Sequence, residues 1–163
     1  MNYDIRQLCT YFPEIHSRYY VDTNGCVYTS LSPNTKRIMV DGQRVTVTTF
    51  VNNALPHLNR TNRQLEKFPI AKDYFLLYDG TILQRLKTTI KDNDEVVVRL
   101  VCMNDRKMFS LSRLVAGSFV DNVSGKEVHH LDRDRKNNSA TNLRVMSFEE
   151  HRGKGNYKRQ HNM

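Results

Sequence analysis

The chain contains no tryptophan, three cysteines, four prolines and seven glycines, and it has no acidic excess. Each shortage excludes a class of protein. Cys9, Cys26 and Cys102 are odd in number and widely spaced, which argues against a disulfide framework or a paired-cysteine zinc site and leaves three reduced thiols. So little proline and glycine in 163 residues excludes collagen-like and low-complexity chains. No apolar run approaches the roughly 20 residues that cross a bilayer, and the opening MNYDIRQLCTYF lacks the apolar stretch of a signal peptide. A cytoplasmic protein that does not engage a membrane is therefore expected.

What is present is globular. Hydrophobic residues make up 39% of the chain and charged residues 26%, enough for a core, and the length suits one domain or one domain with smaller modules. Against 17 acidic residues stand 25 lysines and arginines, a formal charge of +8 that favours a polyanionic partner.

The spacing of Ile5, Leu8 and Phe12 predicts a helix over Asn2–Tyr11, ending before Pro13. YYVDTNGCVYTSL and KRIMVDGQRVTV are β-branched and aromatic runs broken by Asn24-Gly25 and Asp41-Gly42, which accept the positive φ of tight turns, so both read as hairpins. A short helix over Thr48–Leu55 follows and stops at Pro56, and the stretch from Pro56 to Asp73 reads as a polar connection. The pattern then recurs. YFLLYDGTILQRL from Tyr74 aligns with the run from Tyr19 at an offset of 55, matching Gly25 to Gly80 and Leu31 to Leu86. Another hairpin, turning near Asn104-Asp105, and a helix capped by Ser110 or Ser112 complete the second copy. Residues 1–72 and 73–125 thus read as two modules of hairpin, hairpin and short helix, with 126–163 as a separate C-terminal segment.

That segment carries the chemistry. Val128–His130 reads as a strand and Asn142–Met146 as its partner, joined by the polar loop LDRDRKNNSAT. Ser147 and Glu150 form a capping box, so a helix begins there and carries His151. The order of His130, Asn142 and His151 on strand, strand and helix resembles the HNH nuclease family with its ββα-metal site. The preceding LSRLVAGSF is similar to the phage and homing-type members, and the hairpin repeats are similar to the NUMOD modules that accompany them. The resemblance implies an α+β fold, hairpin-rich repeats before the ββα-metal motif, and a DNA endonuclease that hydrolyses phosphodiesters and nicks double-stranded DNA.

It further implies roles for named residues. His130 is the general base and Asn142 braces the loop, while Asn137 and Asn138 are weaker candidates for the same bracing. His129 and His151 hold one divalent metal ion, magnesium or manganese first and nickel or zinc next, since nitrogen ligands favour the softer ions while magnesium is abundant. Asp132 supports a ring N–H from outside the ligand set. His129 and His130 are neighbours and would face apart on a regular strand, so the strand must end or bend there. DNA phosphates are met by Arg133, Arg135, Lys136, Arg144, Arg152, Lys154, Lys158 and Arg159; from Lys126 onward nine basic residues stand against five acidic ones. Arg37, Arg44, Arg85, Arg99, Arg106 and Lys107 offer further contacts from the hairpins. A monomer is expected, without a protein partner and, if phage-encoded, in the host cytoplasm. The alternatives are a catalytically silent regulator of the same fold and an RNA-directed nuclease.

Overall fold

The computed structural model of the chain describes residues 5–32, 34–40, 42–46, 67–71, 73–77 and 81–150. By its internal contacts the chain divides into two compact units, Met1–Asp22 with Cys26–Lys87, and Thr23–Gly25 with Thr88–Met163. Among the described residues no helix is long and apolar enough to cross a membrane.

The first unit is built from β1 (Ile5–Gln7), β2 (Tyr19–Asp22), β3 (Val27–Ser30), β4 (Arg37–Val40), β5 (Gln43–Thr46), β6 (Lys67–Ala71), β7 (Tyr74–Leu77) and β8 (Ile82–Arg85). Six of these form one antiparallel sheet in the order β1-β2-β3-β8-β7-β6, and β4 and β5 form a separate hairpin. The β2–β3 and β7–β8 hairpins are the two copies seen in the sequence, and they lie side by side. Thr29 of β3 pairs with Gln84 of β8, its own counterpart at the offset of 55. The backbone bonds around this point exchange when the copies are swapped. Leu31 N donates to Ile82 O at 2.9 Å and Leu86 N to Val27 O at 2.8 Å. Ser30 N to Arg18 O and Arg85 N to Asp73 O are both 2.7 Å, and Asp22 N to Cys26 O (3.0 Å) matches Leu77 N to Thr81 O (2.9 Å). A local two-fold axis therefore passes through the Thr29–Gln84 pair. The repeat boundary near residue 72 falls inside this sheet, between β6 and β7.

The core of the sheet is Ile5, Tyr28, Leu77 and Leu83, against which Tyr20, Cys26 and Phe75 pack; Tyr28 and Phe75 meet edge to face, their centroids 5.3 Å apart. Two local readings are corrected here. Residues 5–10 are a short strand followed by a 3-10 turn, not a helix. Ile5 and Leu8 are both buried, as a helix would have had them, but pairing with β2 takes up the backbone groups of Ile5–Gln7. Lys67–Ala71, read as part of a polar connection, is strand β6. It tolerates Pro69, which has no N–H to donate, because it lies at the sheet edge and its register shifts between Pro69 and Ala71. The helix expected over Thr48–Leu55 lies outside the described residues.

The second unit contains β9 (Thr89–Ile90), β10 (Val96–Cys102), β11 (Asp105–Ser110), helix α1 (Leu111–Phe119), β12 (Lys126–His130) and β13 (Leu143–Ser147). The β10–β11 hairpin turns at Met103-Asn104, as Asn104-Asp105 led one to expect, with Met103 at a φ of 56°. α1 starts after Ser110, whose hydroxyl lies 3.0 Å from that of Ser112 and does not cap the helix. Leu111, Leu114, Val115 and Ser118 form a buried stripe at helical spacing. The same helix fixes the entry to β12. The Arg113 guanidinium donates to Val123 O (2.8 Å) and Lys126 O (2.9 Å), satisfying one carbonyl before the strand and that of its first residue.

Candidate active site

β12 and β13 pair in one unbroken register, from Lys126–Ser147 to His130–Leu143. The ribbon is two residues longer at its start than the sequence reading, and its first strand ends at His130. Leu131 N turns to Asn142 O (2.8 Å), and Arg133 N closes on His130 O (3.1 Å) with Arg133 at a φ of 64°. As neighbours on a pleated strand should, His129 is exposed while His130 is half-buried. Past β13, Ser147 N donates to Glu150 Oε2 and Glu150 N to Ser147 Oγ, both at 3.3 Å, the reciprocal capping box. Residues 148–150 are helical. His151, Arg152, Lys154, Lys158 and Arg159 lie outside the described residues.

Between the strands the loop is knotted by amides. Asn142, at the end of a 3-10 turn, uses every polar atom of its side chain. Its Oδ1 accepts from Asp132 N (3.1 Å), and its Nδ2 donates to Asp132 Oδ1 (2.9 Å) and to Asn137 O (2.8 Å). Asn137 Nδ2 donates to Asp132 Oδ2 (2.8 Å), and Asp134 N to Asp132 Oδ1 (2.8 Å). These donors, Asn137's amide foremost, then Asn142's, then the backbone of Asp134, hold the Asp132 carboxyl below the usual carboxylate range.

The amide that reaches the histidine is that of Asn138, 4% exposed, whose Oδ1 lies 2.9 Å from His130 Nε2. Its nitrogen points the other way, toward Arg135 O (3.3 Å) and Lys136 O (3.4 Å). With the oxygen thus turned to the ring, a neutral His130 ring would donate from Nε2 in this contact and keep Nδ1 as its acceptor nitrogen. Asn142 thus bonds within the loop, and Asn138 contacts the ring. The sequence carried a signal for both, since Asn138 stands in the polar loop and Asn142 directly follows it.

Arg133, Arg135, Lys136 and Arg144 are all exposed. Two of them also tie the loop to the turn before β10, through Arg135 Nη1 to Asn93 O (3.2 Å) and Lys136 Nζ to Asp94 Oδ1 (3.8 Å). Among the described residues no group of three or more His, Cys, Asp or Glu side chains gathers as a metal cluster.

A family model described as HNH endonuclease matches residues 117–152, which run from the end of α1 through the ribbon and its loop. Over these residues the chain is similar to the HNH endonuclease family. An uncharacterized HNH endonuclease of Acanthamoeba polyphaga mimivirus is 26% identical over 146 residues, covering 76% of this chain and 41% of that protein. A solved structure of the HNH homing endonuclease I-HmuI, which concerns its DNA binding and cleavage, shares the fold with a TM-score of 0.53 at 19% identity. It covers 98% of this chain and 60% of its own. The chain thus spans less than two thirds of each relative. The matched segment includes both His130 and the asparagine loop, and the mixed α/β fold is similar to that of an HNH homing endonuclease.

Proposed function

We propose that the chain is a metal-dependent HNH DNA endonuclease of phage or homing type, nicking double-stranded DNA with His130 as general base. The observation that carries this reading is the contact of His130 Nε2 with the buried Asn138 amide at 2.9 Å, which leaves Nδ1 to accept a proton. A neutral imidazole is a competent base near pH 7. The attacking water gives its proton to Nδ1 as its oxygen bonds to phosphorus; the bond from phosphorus to the 3′ oxygen breaks, and that oxygen takes a proton from solvent.

His129 and His151 are the residues assigned to one divalent ion, magnesium or manganese first and nickel or zinc next. Neutral imidazole is an ordinary ligand for the softer of these ions, and His129 is exposed, on the opposite side of the ribbon from His130. When bound, the ion supplies charge stabilisation for the phosphorane-like state and the leaving oxygen. Arg133, Arg135, Lys136 and Arg144, with the basic tail of Arg152, Lys154, Lys158 and Arg159, meet DNA phosphates. Residues 1–72 and 73–125 act as NUMOD-like DNA-recognition modules beside the nuclease of residues 126–163. A single site on a monomer cuts one strand per encounter.

The test is conversion of supercoiled plasmid to open circles with magnesium, manganese, nickel, zinc or EDTA. His130→Ala is expected to lower the rate about 10²- to 10⁴-fold, the contribution of a general base, with DNA affinity unchanged. Normal cutting by His130→Ala would refute the assignment. Tight DNA binding without cutting under any ion would favour the silent regulator.

A further inference from the structure

We infer that Gly25, in the turn between β2 and β3, is a positioning residue for the nuclease, seating Asn138 so that it orients His130. The inference rests on the proposed nuclease function. By its contacts the turn Thr23–Gly25 belongs to the second unit, although its neighbours in sequence belong to the first. Thr23 O accepts the N–H of Ala140 at 2.8 Å. Two residues on, Gly25 presses against Asn138. A Cβ placed on Gly25 would lie 2.9 Å from Asn138 O and 3.2 Å from both Asn138 C and Asn138 Cβ. Two of those three atoms are backbone, which cannot swing aside as a flexible side chain can. The turn therefore holds the loop on both sides of Ser139, at the residue whose Oδ1 meets His130 Nε2.

Glycine at this position meets two separate demands. One is its φ of +85°, a conformation costly for residues with a Cβ. The other is the close approach to Asn138. Gly125 meets the first demand alone, since its φ is +66° and a Cβ there would find nothing within 4 Å. The turn is in turn fixed from its base. Asp22 Oδ1 accepts from Cys26 N (2.9 Å), Asp22 N donates to Cys26 O (3.0 Å), and Asp22 Oδ2 takes the Tyr28 hydroxyl (2.7 Å). A methyl group on Gly25 must displace Asn138 by some tenths of an ångström, and the ring held by Asn138 moves with it.

The experiment compares the full-length protein with Gly25→Ala, Gly25→Asn, Gly125→Ala, Asn138→Ala and the Gly25→Ala/Asn138→Ala double variant. Gly25→Asn keeps the added Cβ but tolerates positive φ better, and it serves if Gly25→Ala fails to fold. Nicking kinetics on plasmid are read with DNA affinity, melting temperature and the NMR signals of the Asn138 side-chain amide and the His130 ring. Both Gly25 variants are expected to lower kcat about 10-fold or more while KM changes less than about 2-fold, because sub-ångström misplacement of a reacting group acts on the chemical step. Gly125→Ala should shift the melting temperature to a similar extent and leave kcat unchanged. In the Asn138→Ala background Gly25→Ala should add less than about 2-fold, the non-additivity expected of residues acting through one contact. Unchanged kcat in both Gly25 variants, a loss matched by Gly125→Ala, or full additivity with Asn138→Ala would overturn the inference while leaving the nuclease intact. If the wild-type protein cuts with no ion, the proposed function fails, and the NMR signals decide the inference alone: shifted Asn138 and His130 signals in the Gly25 variants uphold the seating, and unshifted ones refute it.

Discussion

Where the β7–β8 hairpin buries Leu77, the β2–β3 hairpin buries the carboxylate of Asp22, 1% exposed. Where the one buries Leu83, the other buries Tyr28, and the backbone bonds around both pairs coincide to within 0.1 Å. One backbone thus serves two interiors. The apolar copy is held by side-chain burial. The polar copy is held by a tyrosine hydroxyl and a backbone N–H converging on one carboxylate, and its turn is the one seated against Asn138. Burial, and then the bond to Asp22, raise the Tyr28 hydroxyl far above the usual phenol range, so it stays a donor at every physiological pH. The difference teaches that the first hairpin fixes its turn through hydrogen bonds whose direction matters, while the second needs only volume.

Truncation should separate the two interiors most clearly. Tyr28→Ala is expected to destabilise the protein by about 4 kcal/mol, since a large ring leaves a cavity and the buried carboxylate loses a donor. Leu83→Ala should lose about 3 kcal/mol, by the cavity term alone. Urea unfolding that ranks Leu83→Ala above Tyr28→Ala would remove the distinction. Asp22→Leu, which gives the first hairpin the residue of the second, should cost about 2–3 kcal/mol because the Tyr28 hydroxyl and Cys26 N–H lose their partner. Adding Tyr28→Leu to it should recover about 1 kcal/mol or more, as the unpaired hydroxyl goes too; a larger loss instead would mean that the polar pair fills a shape leucines cannot.

The smallest effect concerns the other carboxylate knot, that of Asp132, which is exposed where Asp22 is buried. Its carboxyl is held below its unfolded value, so its stabilisation is complete above about pH 4, the unfolded value, and fades as pH falls toward the folded one. Asp132→Asn should therefore flatten the loss of stability between neutral and acid pH. Parallel pH curves for the two proteins would show that the amide knot does not depend on the charge.

Much of this was legible in the sequence because turn chemistry is local. Asn24-Gly25 and Asp41-Gly42 mark their hairpins without tertiary information, and the offset of 55 marks the repeat, although the pairing of the two copies at Thr29 and Gln84 is seen only in the structure. The strand ending at His130, the long loop and the Ser147–Glu150 box were equally readable. The N-terminal segment was not, because Ile5, Leu8 and Phe12 satisfy a helical period and a strand followed by a 3-10 turn alike, and only pairing with β2 decides. Pro69 disguised β6, since an edge strand is the one place where proline in a sheet is cheap. The bracing role given to Asn142 was drawn from a resemblance. That Asn138 meets the ring depends on how the loop folds back over eight residues, and that Gly25 sits behind Asn138 depends on a contact between residues more than a hundred apart in the chain, which no local pattern encodes.

The two-fold pairing of the hairpins also determines where the sheet stops growing. A hairpin whose inner edge recognises its own copy has the geometry of a chain that could recruit further copies and polymerise. Here that edge is used up inside one molecule, between β3 and β8. Of the strands at the ends of the sheet, β1 has three residues, and β6 carries a proline and a register shift. Both are poor templates for another strand, so the duplication that built the sheet also protects it from aggregation.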